Sequence, residues 1–291
     1  MTRTTEAAPI DLDQAVPGMG AYGRTVVRLH PRPGNPGVSD SHIGGPLLWP
    51  TDEPWPHCSE VKYHEVGDEK PDRPVAMVAV AQLAAADFPE VTFPAGTDLV
   101  QILWCPNDHP AWGYQPTFRL VWRGSDKVTE MLTAPPAPHL AEEHYYLPRP
   151  CVVHPERVLE YPWYQELPKK LRDELDEWDA GEGLYQSMLS VVPGCKVGGG
   201  MSWEVTDMGE PPTCDACGAP ANLLLQLDSC EWSTDTQGLR WKPLEDRHLE
   251  FATPDHDLAH EPTGLQIARY SHGGFFICSA VPEHPASFLT Q

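Results

Sequence analysis

The sequence predicts a mainly β (α+β) protein, built as two duplicated β-sheet lobes in a pseudo-twofold relation with a short helical insert. Three observations lead there. Ser41–Trp49 and Cys195–Trp203 share one order of residue types: a small residue, a basic-type residue, a β-branched residue, a Gly-Gly pair and a closing Trp. The pairs are Gly44-Gly45 and Gly198-Gly199. Each segment is followed by an apolar run carrying a glutamine, Val78–Leu83 with Gln82 and Leu223–Asp228 with Gln226. Each half then closes an apolar run on a cysteine, Leu99–Cys105 and Gly274–Cys278. Three features in the same order, twice, are the mark of an internal duplication. The expected organisation is a single domain over 1–291, with lobe one at about 22–150, a helix-bearing connector at about 151–190 and lobe two at about 191–285.

Taken in order, residues 1–20 read as a loose tail or the approach to a first strand. Tyr22–His30 alternates apolar and polar residues and reads as that strand. The first Gly-Gly arm runs into Pro46, Pro50, Pro54 and Pro56. Prolines this dense withhold ladder donors and fix an extended chain, here pinned by Trp49 and Trp55. Ser59–Arg73 is charged and reads as exposed. Pro74–Leu83, Asp98–Cys105 and Phe118–Arg123 read as strands, the last exposing Arg119 and Arg123. Ala84–Phe88 has room for one helical turn, and Leu132–Pro150 is a Pro/His-rich connector. Lys169–Trp178 is the clear helix. Pro168 opens it, Leu171, Leu175 and Trp178 recur at helical spacing, and Gly181 and Gly183 stop it. Lobe two adds the second arm, a Cys-x-x-Cys turn, the Leu223–Asp228 strand, strands at Leu239–Trp241, Gly264–Ile267 and Gly273–Cys278, and a polar surface loop at Glu245–Glu261.

The totals narrow the function classes. The chain has 291 residues, 41% of them hydrophobic, enough to bury a core, and 33 prolines, which argue against a helical bundle. A formal net charge of −22 repels phosphate backbones and anionic lipid, so no nucleic-acid or membrane partner is expected. The same charge suits a basic client. No apolar run approaches the roughly 18–20 residues of a membrane span, and the polar, acidic opening has no secretory h-region. The eight cysteines are therefore expected as free or metal-bound thiols in a reducing cytoplasm.

The ordered set Ile43-Gly44-Gly45, Leu48, Pro50, Trp55-Pro56, Ala81-Gln82-Leu83, Lys196–Gly199 and Leu223–Asp228 resembles the bacterial YwqG-like family, a domain of unknown function. The resemblance runs from about Ser41 to Cys278. The second half, with Gly198-Gly199, Cys214-Asp215-Ala216-Cys217-Gly218 and Leu224-Leu225-Gln226, is also similar to eukaryotic proteins related to programmed cell death protein two. The resemblance implies a duplicated β-rich fold with a groove and a protein-binding role. The eukaryotic relatives act as chaperones for a ribosomal protein, and bacterial relatives are discussed as accessory or immunity-type proteins. It supplies no catalytic centre. This chain departs from the usual arm at Pro46 and Gly200.

Cys214-x-x-Cys217-Gly218 is the sharpest chemical motif. Two thiolates on a tight turn can grip one zinc ion, with Gly218 permitting the turn. Zinc takes four ligands, and the sequence has no second Cys-x-x-Cys. Cys195, Cys230, Cys278 and His57-Cys58 are the candidate partners. An unbound turn and a redox pair are the alternatives, the latter lacking a thioredoxin-like βαβ context. Gln82 and Gln226 each sit in an apolar strand, where an amide must find partners. Either they bond the backbone of a neighbouring arm, or they hold a client peptide in a groove between lobes. In the second case the binding surface comprises Gly44, Gly45, Trp49, Trp55, Gln82, Gly198, Gly199, Trp203, Gln226 and Asp228, the carboxylate of Asp228 meeting a basic residue. His248, Asp255, His256, Asp257 and His260 share one loop and define the rival expectation, a metal-dependent hydrolase, although no His-Glu-x-x-His occurs. A fixed component of a larger assembly is a third class. No phosphate loop, dinucleotide fingerprint or nucleophile elbow is found. The leading expectation is thus a cytoplasmic protein- or peptide-binding module of chaperone, adaptor or immunity type, with no catalytic residue assigned.

Overall fold

The computed structural model describes residues 2–60, 72–110, 113–141, 145–235 and 237–291. Most of the expected exposed segment at 59–73 lies outside the described residues. The chain is mainly β, with several antiparallel sheets and few helices. The strands are β1 (Arg24–Arg28), β2 (Arg32–Pro33), β3 (His42–Ile43), β4 (His57–Cys58), β5 (Val75–Ala76), β6 (Val78–Ala84), β7 (Leu99–Trp104), β8 (Phe118–Arg123), β9 (Cys151–Val152), β10 (Glu156–Glu160), β11 (Lys196–Val197), β12 (Ala221–Asp228), β13 (His272–Cys278) and β14 (Ser287–Thr290).

Two six-stranded sheets run β10-β1-β11-β12-β13-β14 and β2-β9-β3-β6-β7-β8, with β4 and β5 as a separate pair. Chain order and sheet order differ at one end of each sheet. β1 and β2 are neighbours in sequence but lie in different sheets, as do β9 and β10. β1 pairs antiparallel with β10, and β2 with β9. As a result β1, from the first half, joins the arm strand of the second half, and β9 joins the arm strand of the first.

Within each sheet the arms occupy matching registers. His42 faces Gln82, and Lys196 faces Gln226. The register of each glutamine strand also shifts at the same place, between Ala79 and Ala81 and between Leu223 and Leu225. The Gly-Gly pairs follow from left-handed backbone and close neighbours. Gly44 has φ +68°, and a Cβ there would sit 2.6 Å from the Arg149 carbonyl. Gly199 has φ +83°, and its Cβ would sit 2.4 Å from a Glu160 carboxylate oxygen. No other residue fits either place.

The sheets share one hydrophobic core. Val27, Ile43, Val100, Trp104, Leu225, Phe275 and Phe288 all belong to it. Trp104 lies 6.4 Å from Phe275 and 6.3 Å from Phe288, ring centre to ring centre. Side chains therefore fill the space where these strands meet, while residues of both halves border clefts elsewhere, one of them lined by Thr117, Phe118, Asp215 and Phe288.

Helix α2 (Lys169–Asp179) covers its expected span and one residue more, and buries Leu171 and Leu175. Those leucines pack against Leu12, Val16 and Met19, which gives the N-terminal segment a fixed seat rather than a loose one. Helix α1 (Leu12–Ala15) lies in that segment, capped by the Asp11 carboxylate. Three further expectations are corrected. Leu239–Trp241 lies in a 3₁₀ turn, Gly238–Trp241, that buries Trp241. Gly264–Ile267 contributes only an isolated bridge, Ile267 to Ser271. The polar loop Glu245–Glu261 contains helix α3 (Pro254–His260), opened by Thr253 and Pro254. Arg119 is exposed as expected, but Arg123 is drawn in, bonded to Glu53 and Gln101 and stacked 4.7 Å from Trp49. Among the described residues no helix is long and apolar enough to cross a membrane.

Candidate metal centre

Cys214 and Cys217 lie just before β12 on a turn held by three backbone bonds. Cys214 N–H donates to Ala219 O at 2.8 Å, Gly218 N–H to Cys214 O at 2.7 Å, and Cys217 N–H to Cys214 O at 3.3 Å. Gly218 at φ +71° lets the chain double back. Ala221 opens β12 and pairs with Cys278, the last residue of β13. That register carries the third sulfur to the first two. Past Cys278 the chain turns, and His284 N–H donates to Val281 O at 3.0 Å. The turn swings the imidazole back over the cysteines.

The four donor atoms of Cys214, Cys217, Cys278 and His284 all lie within 4.8 Å of one another. Cys217 Sγ is 3.5 Å from Cys278 Sγ, and Cys214 Sγ is 3.4 Å from His284 Nδ1. A tetrahedral ion with metal–sulfur bonds of about 2.3 Å sets sulfur–sulfur edges of about 3.8 Å and sulfur–nitrogen edges of about 3.6 Å. The donors thus stand at the spacing such an ion needs. Cys214 and Cys278 are buried and Cys217 is exposed, which leaves an approach from solvent. Backbone amides prepare the charge. Val281 N–H points at Cys278 Sγ from 3.4 Å. With the Ala280 amide it lowers the Cys278 thiol to about 6, against burial. Cys217 moves upward instead: the Ala219 amide favours its thiolate, but the neighbouring sulfurs of Cys278 and Cys214 hold its proton.

Of the expected partners only Cys278 joins this group. Cys195 lies under Asp228, its Sγ 3.5 Å from the Asp228 N–H. Cys58 groups with Cys105 and His109, and Cys230 with His260 and Glu261. His284 was not singled out from sequence. It lies 67 positions from Cys217, and only the β12–β13 register brings it near. His256 and His260 stack at 5.5 Å and pack against Trp232. His256 belongs to no donor group among the described residues.

The glutamines are engaged inside the fold. Gln82 is fully buried. Its Oε1 accepts from Leu48 N–H at 3.0 Å and Gln101 Nε2 at 2.8 Å. Its Nε2 donates to Val38 O at 2.8 Å and Asp40 O at 3.0 Å. All four hydrogen-bonding positions are taken by the arm and its neighbour strand. Gln226 Nε2 donates to Gly194 O at 3.0 Å, while its Oε1 has no partner among the described residues. Asp228 is turned inward, accepting from Gly194 and Cys230 amides at 3.1 and 3.0 Å, and burial raises its carboxyl to about 6. Trp49 is buried and packs at 5.2 Å from Trp55, whose Nε1 donates to Met77 O. Gly199 and Trp203 border one small cleft, Gly198 a second and Asp228 a third. The expected binding residues are thus spread over several surfaces.

Sequence reading missed a second buried polar centre. Glu160 is 0% exposed and faces Lys196, also 0% exposed, in a direct ion pair. Arg24 at 3.1 Å and the amides of Gly200 and Val192 at 2.8 and 3.0 Å complete its shell. The signal was the lysine preceding the second Gly-Gly. No protein-family model and no curated protein sequence matches this chain.

Proposed function

We propose that this chain is a zinc protein whose Cys214, Cys217, Cys278 and His284 hold one structural ion, and that the two-sheet body it braces is a binding module for a basic protein or peptide. The convergence of three sulfurs and one imidazole nitrogen within 4.8 Å carries the zinc reading. Thiolate and imidazole ligands select zinc over calcium or magnesium, and four protein ligands leave no open position for a substrate. The ion would tie the turn before β12 to the end of β13. Binding releases the cysteine protons and supplies charge neutralisation and a crosslink rather than chemistry.

The binding-module reading draws on the −22 charge and on the resemblance to YwqG-like proteins. Matching registers of two Gly-Gly arms and two glutamine strands support descent by duplication, with the first strand of each half exchanged into the sheet of the other. A cytoplasmic setting belongs to the same reading, since a reducing compartment keeps thiols available to a metal. The rival hydrolase reading has one favouring observation. Cys230, His260 and Glu261 form a three-donor group beside a cleft bordered by Glu204, Asp228 and His272. The test has two arms. Metal analysis of protein never exposed to chelator should find zinc, depleted in Cys214→Ser. Low-salt affinity capture should enrich one basic protein that high salt releases. A metal-free, fully folded protein would refute the zinc reading. An empty capture from well-folded protein at native abundance would refute the module reading.

A further inference from the structure

The first half carries a donor group in the position that the metal centre occupies in the second. We propose that Cys58, Cys105 and His109 hold a second thiophilic metal ion, of the zinc class, inside the first sheet's flank. The donor atoms of these three residues lie within 4.8 Å of one another, and all three residues are buried. Cys58 Sγ is 3.3 Å from His109 Nε2, close to the edge a tetrahedral ion sets between sulfur and nitrogen.

The placement repeats the first centre. In the second half, a cysteine turn precedes the glutamine strand β12, a cysteine ends the next strand β13, and a histidine follows six positions later. In the first half, Cys58 precedes the glutamine strand β6, Cys105 directly follows β7, and His109 comes four positions after it. Sheet order puts β6 beside β7 as it puts β12 beside β13. The same topology therefore gathers the same donor types, with one cysteine where the second half has two. Both sulfurs also have hydrogen-bonding neighbours suited to a thiolate. Thr117 Oγ1 lies 3.2 Å from Cys58 Sγ, and Asn107 Nδ2 lies 3.7 Å from Cys105 Sγ. Among the described residues this donor set numbers three.

Burial separates the two sites kinetically. Cys217 opens the first centre to solvent, whereas Cys58, Cys105 and His109 are 2%, 0% and 0% exposed. An ion on the second set enters during folding and leaves only when the structure opens. Binding takes one proton from each cysteine and leaves His109 neutral.

The experiment uses the full chain, made with zinc supplied and purified without chelator. Metal per chain is measured by mass spectrometry, and release is followed with a colorimetric zinc chelator. The expected result is two ions per chain, one on Cys214, Cys217, Cys278 and His284 and one on Cys58, Cys105 and His109, released in a fast and a slow phase. Cys214→Ser/Cys217→Ser should abolish the fast phase and keep the slow one, and His109→Ala should do the reverse. If His109→Ala fails to fold, the two-phase release of the unmodified chain still decides. A single ion that leaves in one phase and is absent from Cys214→Ser/Cys217→Ser overturns the proposal while leaving the first centre intact. A single ion retained by that variant and lost from His109→Ala supports this site and overturns the first. Metal-free folded protein overturns both.

Discussion

Replacing Gln82 by methionine keeps its length and removes its amide. Four hydrogen bonds go with it: from Leu48 N–H and Gln101 Nε2, and to Val38 O and Asp40 O. Asp40 is exposed and Val38 half-buried, so water can reach those two carbonyls and recover much of their bonding. Gln101 keeps its bond to Leu48 O at 2.9 Å but loses the partner of its other donor. The Leu48 N–H has no replacement in view. Two cut-off donors at about 1–3 kcal/mol each, plus a fraction for the carbonyls, give a loss of about 3–5 kcal/mol. Gln226→Met is the internal control. It removes one bond, to Gly194 O, and also removes an Oε1 that has no partner among the described residues, so the terms offset to within about 1 kcal/mol. Urea unfolding at equal protein concentration measures both. Equal shifts in the two variants, or a Gln82→Met loss under about 1 kcal/mol, would refute the reasoning that Gln82 fastens the first arm.

Chelation should lower the stability of the wild-type chain by about 4 kcal/mol relative to a solution at a thousandfold excess of zinc over its Kd, read by calorimetry, and leave Cys214→Ser nearly unmoved. Lys196→Met alone should cost about 3 kcal/mol, because the buried Glu160 carboxylate loses its ammonium partner but keeps Arg24 and two amides, while Lys196→Met/Glu160→Gln should cost less than the sum of the singles in the same unfolding assay. His42 is held neutral: Gly45 N–H donates to its Nδ1 at 3.1 Å, its Nε2 faces Pro46 O at 3.0 Å, and burial lowers it to about 4. The unfolded chain takes up that proton near pH 6.5 and the folded chain only near 4. The His42 contribution is therefore intact above about 6.5 and falls by about 3 kcal/mol as pH drops through this window. Wild type minus His42→Gln, measured by unfolding at several pH values, isolates it. Asp228, raised to about 6, acts with the opposite sign and cancels in that difference.

Much of the architecture was legible because it depends on local pattern. Alternation and apolar runs marked β6, β7, β8, β12 and β13, and Pro168 with the leucine spacing marked α2. The arm's use of Gln82 was readable as one of two outcomes, since a buried amide must bond something. What was not legible depends on long-range register. Nothing local to Arg24–Arg28 says that it joins the arm strand Lys196–Val197. The same limit hid His284, which reaches Cys214 only because Ala221 pairs with Cys278. It also hid Glu160, whose lysine partner lies 36 positions on. The histidine loop misled for another reason. Its residues are polar by type, yet His256 is 4% exposed because its ring packs edge-on to Trp232. Composition reports hydration preference, whereas an imidazole can be buried once its nitrogens are satisfied.

The claim at the centre of this account is that Cys278 and His284 complete the Cys-x-x-Cys turn. Metal content of Cys278→Ser and His284→Ala, compared with the wild-type chain and with Cys195→Ser, tests it most directly. The account predicts that the first two lose one zinc ion per chain and that Cys195→Ser, whose sulfur serves Asp228, keeps it. Unchanged zinc in Cys278→Ser and His284→Ala, or loss in Cys195→Ser alone, would contradict it.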